Sequence, residues 1–290
     1  MRAPDRGPYR HPRPDHKGGQ IAGGDEMATT STRTRIHHEV RGSGPAVLFI
    51  PGATGDAGHF ARSAERLADE FTVITYDRRG NSRSPVQGDA RDAATMSAQA
   101  ADAAALIRDC GFERAVVCGT SGGAIITLEL LSRDPAVVKG AIVHEPPLIA
   151  LLPKQDGPGP LQPIFDLYGR DQRAALEAFV RVNAGDAGWE AIEPTTRERM
   201  LGNAATLFER EVNEFIGYRP DESVLRSLTV PVMLLRSRDG LHYAPAVLAW
   251  LEERTGLRSG VLTGGHAPYF DLPEVFAEEL RPILRGLWGG

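Results

Sequence analysis

Val116-Val-Cys-Gly-Thr-Ser-Gly-Gly-Ala-Ile-Ile-Thr-Leu-Glu-Leu-Leu131 decides how this chain is read. An apolar run of strand character enters Gly119-Thr120-Ser121-Gly122-Gly123 and leaves directly into a helical pattern, which puts Ser121 on a sharp strand-turn-helix bend. Small flanking residues suit such a bend, because the serine takes up strained backbone angles while strand and helix pack closely on either side. The bend pushes the hydroxyl into the open. An unactivated hydroxyl is a weak nucleophile, so the pattern calls for a base and for an acid that orients the base.

Outward from this bend, short aliphatic or β-branched runs alternate with helical patterns, the mark of a mostly parallel central sheet with helices on both faces. The expected strands are Ile36 to Val40, Ala46 to Ile50, Phe71 to Tyr76, Ala115 to Cys118, Val138 to Val143, Val232 to Leu235 and Gly260 to Leu262. Helices are expected from Met96 to Cys110, stopped by Gly111, and from Pro273 to about Leu287. One interval breaks the alternation. Residues 147–221 contain only amphipathic helical patterns such as Ala174 to Val182 and Arg197 to Ile216, and read as a helical cap over the sheet edge where open α/β sheets bind ligands. The core is then 27–146 together with 222–290. Residues 1–26 are rich in Pro and Gly and poor in apolar side chains, the composition of a disordered extension, and His11 and His16 there form too sparse a set to hold a metal.

A nucleophile elbow places its base later in the chain, which leaves His144, His242 and His266. His266 lies in Thr263-Gly-Gly-His-Ala-Pro-Tyr-Phe-Asp-Leu-Pro273, a loop after the last strand from which an imidazole reaches back over the sheet edge, and it is assigned as the base. Asp239, which Pro231-Val-Met-Leu-Leu-Arg-Ser-Arg-Asp-Gly240 presents just beyond a buried strand, is assigned as the acid that fixes the imidazole tautomer. Glu145 is its rival, at the end of the preceding strand in His144-Glu-Pro-Pro147, and is read instead as bracing the cap or contacting substrate. Backbone donors for a tetrahedral oxyanion are expected from the N–H of Gly122 and, in Ile50-Pro-Gly-Ala-Thr-Gly55, from that of Ala53. Thr120, His144, Glu145 and His242 are the expected pocket residues.

These residues together resemble the α/β-hydrolase fold, over about Ile36 to Leu287. The resemblance rests on Pro51-Gly52-Ala53, on the turn Asp77-Arg-Arg-Gly-Asn-Ser-Arg-Ser84, on the elbow, on Asp239 and on Gly265-His266, in the family's order. Two departures stand out: Pro51 where the family commonly has His, and Ser82 where it has Gly. A serine nucleophile sets the chain apart from members that use Asp, the haloalkane dehalogenases and epoxide hydrolases. The resemblance implies a cofactor-independent serine hydrolase that cleaves an ester or lactone through an acyl-enzyme. The same triad also serves acyl transfer, cyclisation or carbon-carbon bond hydrolysis, and a ligand-binding member of the fold without turnover is a further reading.

Composition narrows the partners. The chain has 290 residues and a net charge of -5, so it offers no basic field for a nucleic-acid backbone or an anionic membrane surface. Apolar runs such as Ala46 to Ile50 are far shorter than the roughly 18 residues of a membrane span. Two cysteines, Cys110 and Cys118, are too few for a disulfide framework and fit a reducing cytoplasm. Neither an H-E-x-x-H metal motif nor a phosphate-binding loop occurs, so no metal or cofactor is expected and the partner is a small-molecule substrate. The seven aromatic residues of the cap, among them Phe165, Phe179, Phe208 and Tyr218, suggest that this substrate is partly apolar.

Overall fold

The computed structural model describes residues 26–29, 35–86, 94–153 and 161–289. His11, His16 and all but the last residue of the expected N-terminal extension lie outside them. Among the described residues eight strands form one sheet: β1 (Glu26–Thr29), β2 (Arg35–Arg41), β3 (Ala46–Ile50), β4 (Thr72–Tyr76), β5 (Ala115–Thr120), β6 (Val138–His144), β7 (Val232–Asp239) and β8 (Ser259–Gly265). Their order is β1-β2-β4-β3-β5-β6-β7-β8. β1 and β2 pair antiparallel, as do β2 and β4, and every later neighbour pair is parallel. β1 lies N-terminal to the strands expected from sequence.

The helices are α1 (Ala61–Leu67), α2 (Met96–Asp109), α3 (Gly122–Arg133), α4 (Gln162–Tyr168), α5 (Gln172–Ala191), α6 (Pro194–Leu201), α7 (Ala204–Thr206), α8 (Val212–Gly217), α9 (Glu222–Arg226), α10 (Ala244–Thr255), α11 (Pro268–Asp271) and α12 (Pro273–Gly289). The boundaries of α2 have local causes. Thr95 caps α2 by accepting from the Ala98 N–H at 3.3 Å, and beyond the helix Gly111 turns left-handed at φ 83°. α12 presents Phe276, Ala277, Leu280, Leu284 and Leu287 as a buried stripe, with Leu287 packed on the backbone of Gly140 in β6.

The central strands are apolar on both faces because helices cover both. Val47, Leu48, Phe49 and Ile50 of β3 are fully buried, each stabilising the fold by about 1.5–3 kcal/mol. Phe49 meets Phe60 with ring centroids 4.8 Å apart. Parallel pairing carries the C-terminal ends of β3, β5, β6, β7 and β8 to one edge of the sheet, where the loops bearing functional groups converge.

Among the described residues no strand lies between β6 and β7. The pattern over Arg197 to Ile216, which reads as one helix, is instead broken: α6 ends at Leu201, Gly202 and Asn203 interrupt, and a π-helical turn, Leu207–Glu211, precedes α8. The Asn203 side chain explains the break. Its Nδ2 donates to the Thr54 carbonyl at 2.7 Å and to Ser82 Oγ at 2.9 Å, while its Oδ1 accepts from the Ser82 N–H at 2.7 Å. Ser82 sits at φ 48°, so a serine where the resemblance leads one to expect glycine holds a left-handed conformation while making two of those three bonds. No helix among the described residues is long and apolar enough to cross a membrane.

Candidate active site

Ser121 follows β5 at φ 53° and ψ -125°, and its N–H donates to the His144 carbonyl at 2.9 Å. A left-handed serine between strand and helix is the strained bend expected of a nucleophile. The glycines around it are required by close approach: a Cβ on Gly123 would stand 2.0 Å from the Ile50 carbonyl oxygen, and one on Gly119 2.2 Å from that of Gly123.

Ser121, His266 and Ala53 line one narrow cleft of about 40 Å³ with Thr54, His59, Phe179, Val180, Asn183, Met200, Tyr269 and Phe270 among its walls. The loop after β3 packs on the serine closely enough that a Cβ on Gly52 would meet Ser121 Cβ at 2.8 Å. In that loop the Gly55 N–H donates to the Gly52 carbonyl at 3.2 Å, with Thr54 left-handed at φ 68°. Ala53 is the second residue of this turn, whose N–H takes no part in the turn's own bond. Gly122 is the first residue of α3, where an N–H has no carbonyl to meet within the helix.

His266 Nδ1 is 2.6 Å from Glu145 Oε2, with both side chains buried. The structure therefore brings Glu145, and not Asp239, to the histidine. Glu145 leaves the end of β6 at φ 45°, and its Oε1 accepts from the Ser237 N–H at 2.9 Å. Gly240 leaves room for it, since a Cβ there would lie 1.9 Å from Glu145 Oε1. Asp239 remains the last residue of β7, in register with Gly265, and its side chain is exposed. Beside it the register shifts: Ser237 is opposite Leu262 but Asp239 is opposite Gly265, so β8 carries an extra residue just before His266. Burial opposes ionisation of Glu145, yet the bond to His266 and the two nearby imidazoles outweigh it and hold its pKa below the usual carboxylate range.

The expected pocket residues do not line the cleft. Thr120 and His144 are fully buried at the strand ends, Glu145 lies behind His266, and His242 is exposed with its ring 5.2 Å from that of Tyr243. His144 instead supports the site. Its Nε2 is 3.0 Å from Ser237 Oγ, its ring lies 6.3 Å from that of His266, and burial lowers its pKa to about 4, which keeps it neutral. His59 is a wall residue that the sequence pattern does not single out: it is buried, with Nε2 3.0 Å from Thr54 Oγ1 and a pKa lowered to about 4 by burial. Asp77 and Arg79 behave as the structural turn they suggest, Asp77 accepting from the Ala57 N–H at 2.8 Å and Arg79 Nη2 donating to Asp102 at 2.6 Å.

Residues 47–279 match the Alpha/beta hydrolase family. The chain belongs to that family. This α/β-hydrolase is 31% identical over 256 residues to the uncharacterized hydrolase YraK of Bacillus subtilis, covering 86% of this chain and 92% of the relative. It is 28% identical over 265 residues to a pimeloyl-[acyl-carrier protein] methyl ester esterase of Stenotrophomonas maltophilia, covering 87% and 97%. Among solved structures, a thermophilic esterase from Thermogutta terrifontis shares the fold, with a TM-score of 0.74 at 20% identity over 90% of this chain and 98% of that one. The α/β-hydrolase is thus an enzyme, and hydrolysis is its class of reaction.

Proposed function

We propose that this hydrolase cleaves a carboxylic ester of a small, partly apolar molecule through a Ser121-His266-Glu145 triad. One observation carries the reading: a left-handed Ser121 shares its cleft with His266, whose outer ring nitrogen is held by the buried Glu145 at 2.6 Å. Ser121 Oγ attacks the ester carbon as its proton passes to His266 Nε2. Glu145 keeps Nδ1 protonated and stabilises the imidazolium. The Ala53 and Gly122 amides receive the oxyanion, since donors of this kind point at charge that develops only in the transition state. Collapse expels the alcohol, which takes its proton from His266, and water then releases the acid from the serine by the same route in reverse.

The helices α4 to α8 act as a cap that contributes Phe179, Val180 and Met200 to the cleft, and these walls favour an apolar acyl group. The methyl ester named for the Stenotrophomonas relative supports an ester as substrate. Cys110 and Cys118 form no disulfide, which suits the cytoplasm.

The test is hydrolysis of p-nitrophenyl esters of graded acyl length by wild type and by Ser121→Ala, followed by intact mass after a fluorophosphonate probe. A burst and a single adduct on wild type alone are expected. Undiminished turnover by folded Ser121→Ala, or no adduct on wild type, overturns the mechanism.

A further inference from the structure

Arg78 is 1% exposed and lies beneath the loop after β3. Its Nη2 donates to the Gly52 carbonyl at 2.9 Å and to Glu211 Oε2 at 2.8 Å, and its Nη1 donates to Glu211 Oε1 at 2.5 Å and to Gln99 Oε1. Phe215 covers the guanidinium at 5.5 Å from the ring centroid, and the same ring abuts Gly122 beside the nucleophile. Glu211 ends the π-helical turn of the segment between β6 and β7, is also 1% exposed, and takes a further bond from Asn81 Nδ2 at 3.1 Å. Outside this network the pair has no role in the triad.

Gly52 C=O and Ala53 N–H belong to one peptide unit. A trans peptide is planar and its C=O and N–H point in opposite directions, so whatever fixes one fixes the other. A glycine on one side of that peptide lets its plane flip readily, and within the turn the restraint on the Gly52 carbonyl is the neutral Gly55 N–H at 3.2 Å. Arg78 adds a shorter, charged donor to the same carbonyl from below, which strengthens the restraint, polarises the peptide and makes its N–H a better donor.

We propose that Arg78 is a positioning residue that aims the Ala53 N–H at the oxyanion, and that Glu211 makes this alignment depend on the helical segment being docked. The proposal rests on the serine-hydrolase reading and extends it: the oxyanion donor is complete only when Glu211 neutralises and orients the guanidinium beneath it.

The test replaces the pair by apolar residues, Arg78→Met with Glu211→Leu, because loss of a buried ion pair to well-packed apolar side chains often leaves a protein folded. Glu211→Gln is the second variant, keeping an acceptor but removing the charge. Steady-state kinetics on a p-nitrophenyl ester, thermal unfolding, and amide exchange at Ala53 by NMR are measured on each. The expected result for the double variant is a kcat lower by about 100-fold, the scale of one lost oxyanion donor. KM stays within about threefold, unfolding is cooperative, and Ala53 exchanges faster. Glu211→Gln shows the same pattern to a smaller degree. A folded double variant with kcat within about threefold of wild type overturns the proposal, and so does unchanged exchange at Ala53. Failure of the hydrolase reading looks different: wild type itself gains no fluorophosphonate adduct, and the exchange at Ala53 still decides whether Arg78 holds the peptide.

Discussion

An acid that orients a catalytic imidazole has to reach the ring nitrogen turned away from the nucleophile, and it has to be held there. Glu145 satisfies both demands through His266 Nδ1 at 2.6 Å and the Ser237 N–H at 2.9 Å. Asp239, exposed at the end of β7, satisfies neither. Glu145→Gln should lower kcat on p-nitrophenyl esters by about 10³- to 10⁴-fold, because an amide in that place favours the wrong tautomer. Asp239→Asn should change kcat by less than about threefold. The reverse ranking in parallel assays would transfer the acid's role back to Asp239.

Within the segment between β6 and β7, α5 is not continuous: Gly185 interrupts it at φ 75° and ψ 170°. That region of backbone space is essentially closed to residues with a Cβ. The turn just before the break supplies Phe179, Val180, Asn183 and Ala184 to the cleft wall, so the kink decides which residues face Ser121. Arg181 spans it, bonding Asp186 at 2.8 Å and Glu190 at 2.7 Å, but these exposed pairs contribute little. Gly185→Ala should therefore cost about 1–3 kcal/mol. Urea unfolding at an unchanged m-value reports it, and a variant as stable as wild type would mean that the helix straightens there without strain.

On the scale of the whole molecule, polar side chains join the helical segment to the loops after β3 and β4. Arg199 forks onto Asp56 at 2.8 and 2.9 Å, Thr206 Oγ1 donates to the Gly80 carbonyl at 2.7 Å, and Asn203 and Glu211 add the bonds described above. His59 and His144 are buried among these layers with pKa values near 4, below their unfolded value of 6.5. Between pH 6.5 and 4 the unfolded chain therefore binds protons at both sites that the folded chain does not. Their contribution is fully present above pH 6.5 and is lost as the pH falls toward 4, by at most about 3 kcal/mol for each site. The urea midpoint should climb from pH 5 to pH 7. Substitution of His144 by Gln should shallow that climb, and an unchanged pH profile would show that burial of His144 does not set it.

Hydrophobic period and turn chemistry are properties of contiguous residues, and what depends on them is legible in the chain alone. β2 through β8, the elbow at Ser121 and the loop bearing His266 all belong to this class, each a short run whose neighbours in sequence are its neighbours in space. β1 escapes because Glu26–Thr29 has no pattern of its own and becomes a strand by pairing with β2. The partner of His266 is settled by tertiary structure: Asp239 ends β7 with its side chain exposed, and the left-handed end of β6 leaves Glu145 beside the ring. Arg78, in the turn Asp77 to Ser84, stands 133 positions from Glu211, and nothing in the chain pairs them until the fold buries both, because desolvation and pairing arise only where distant segments meet.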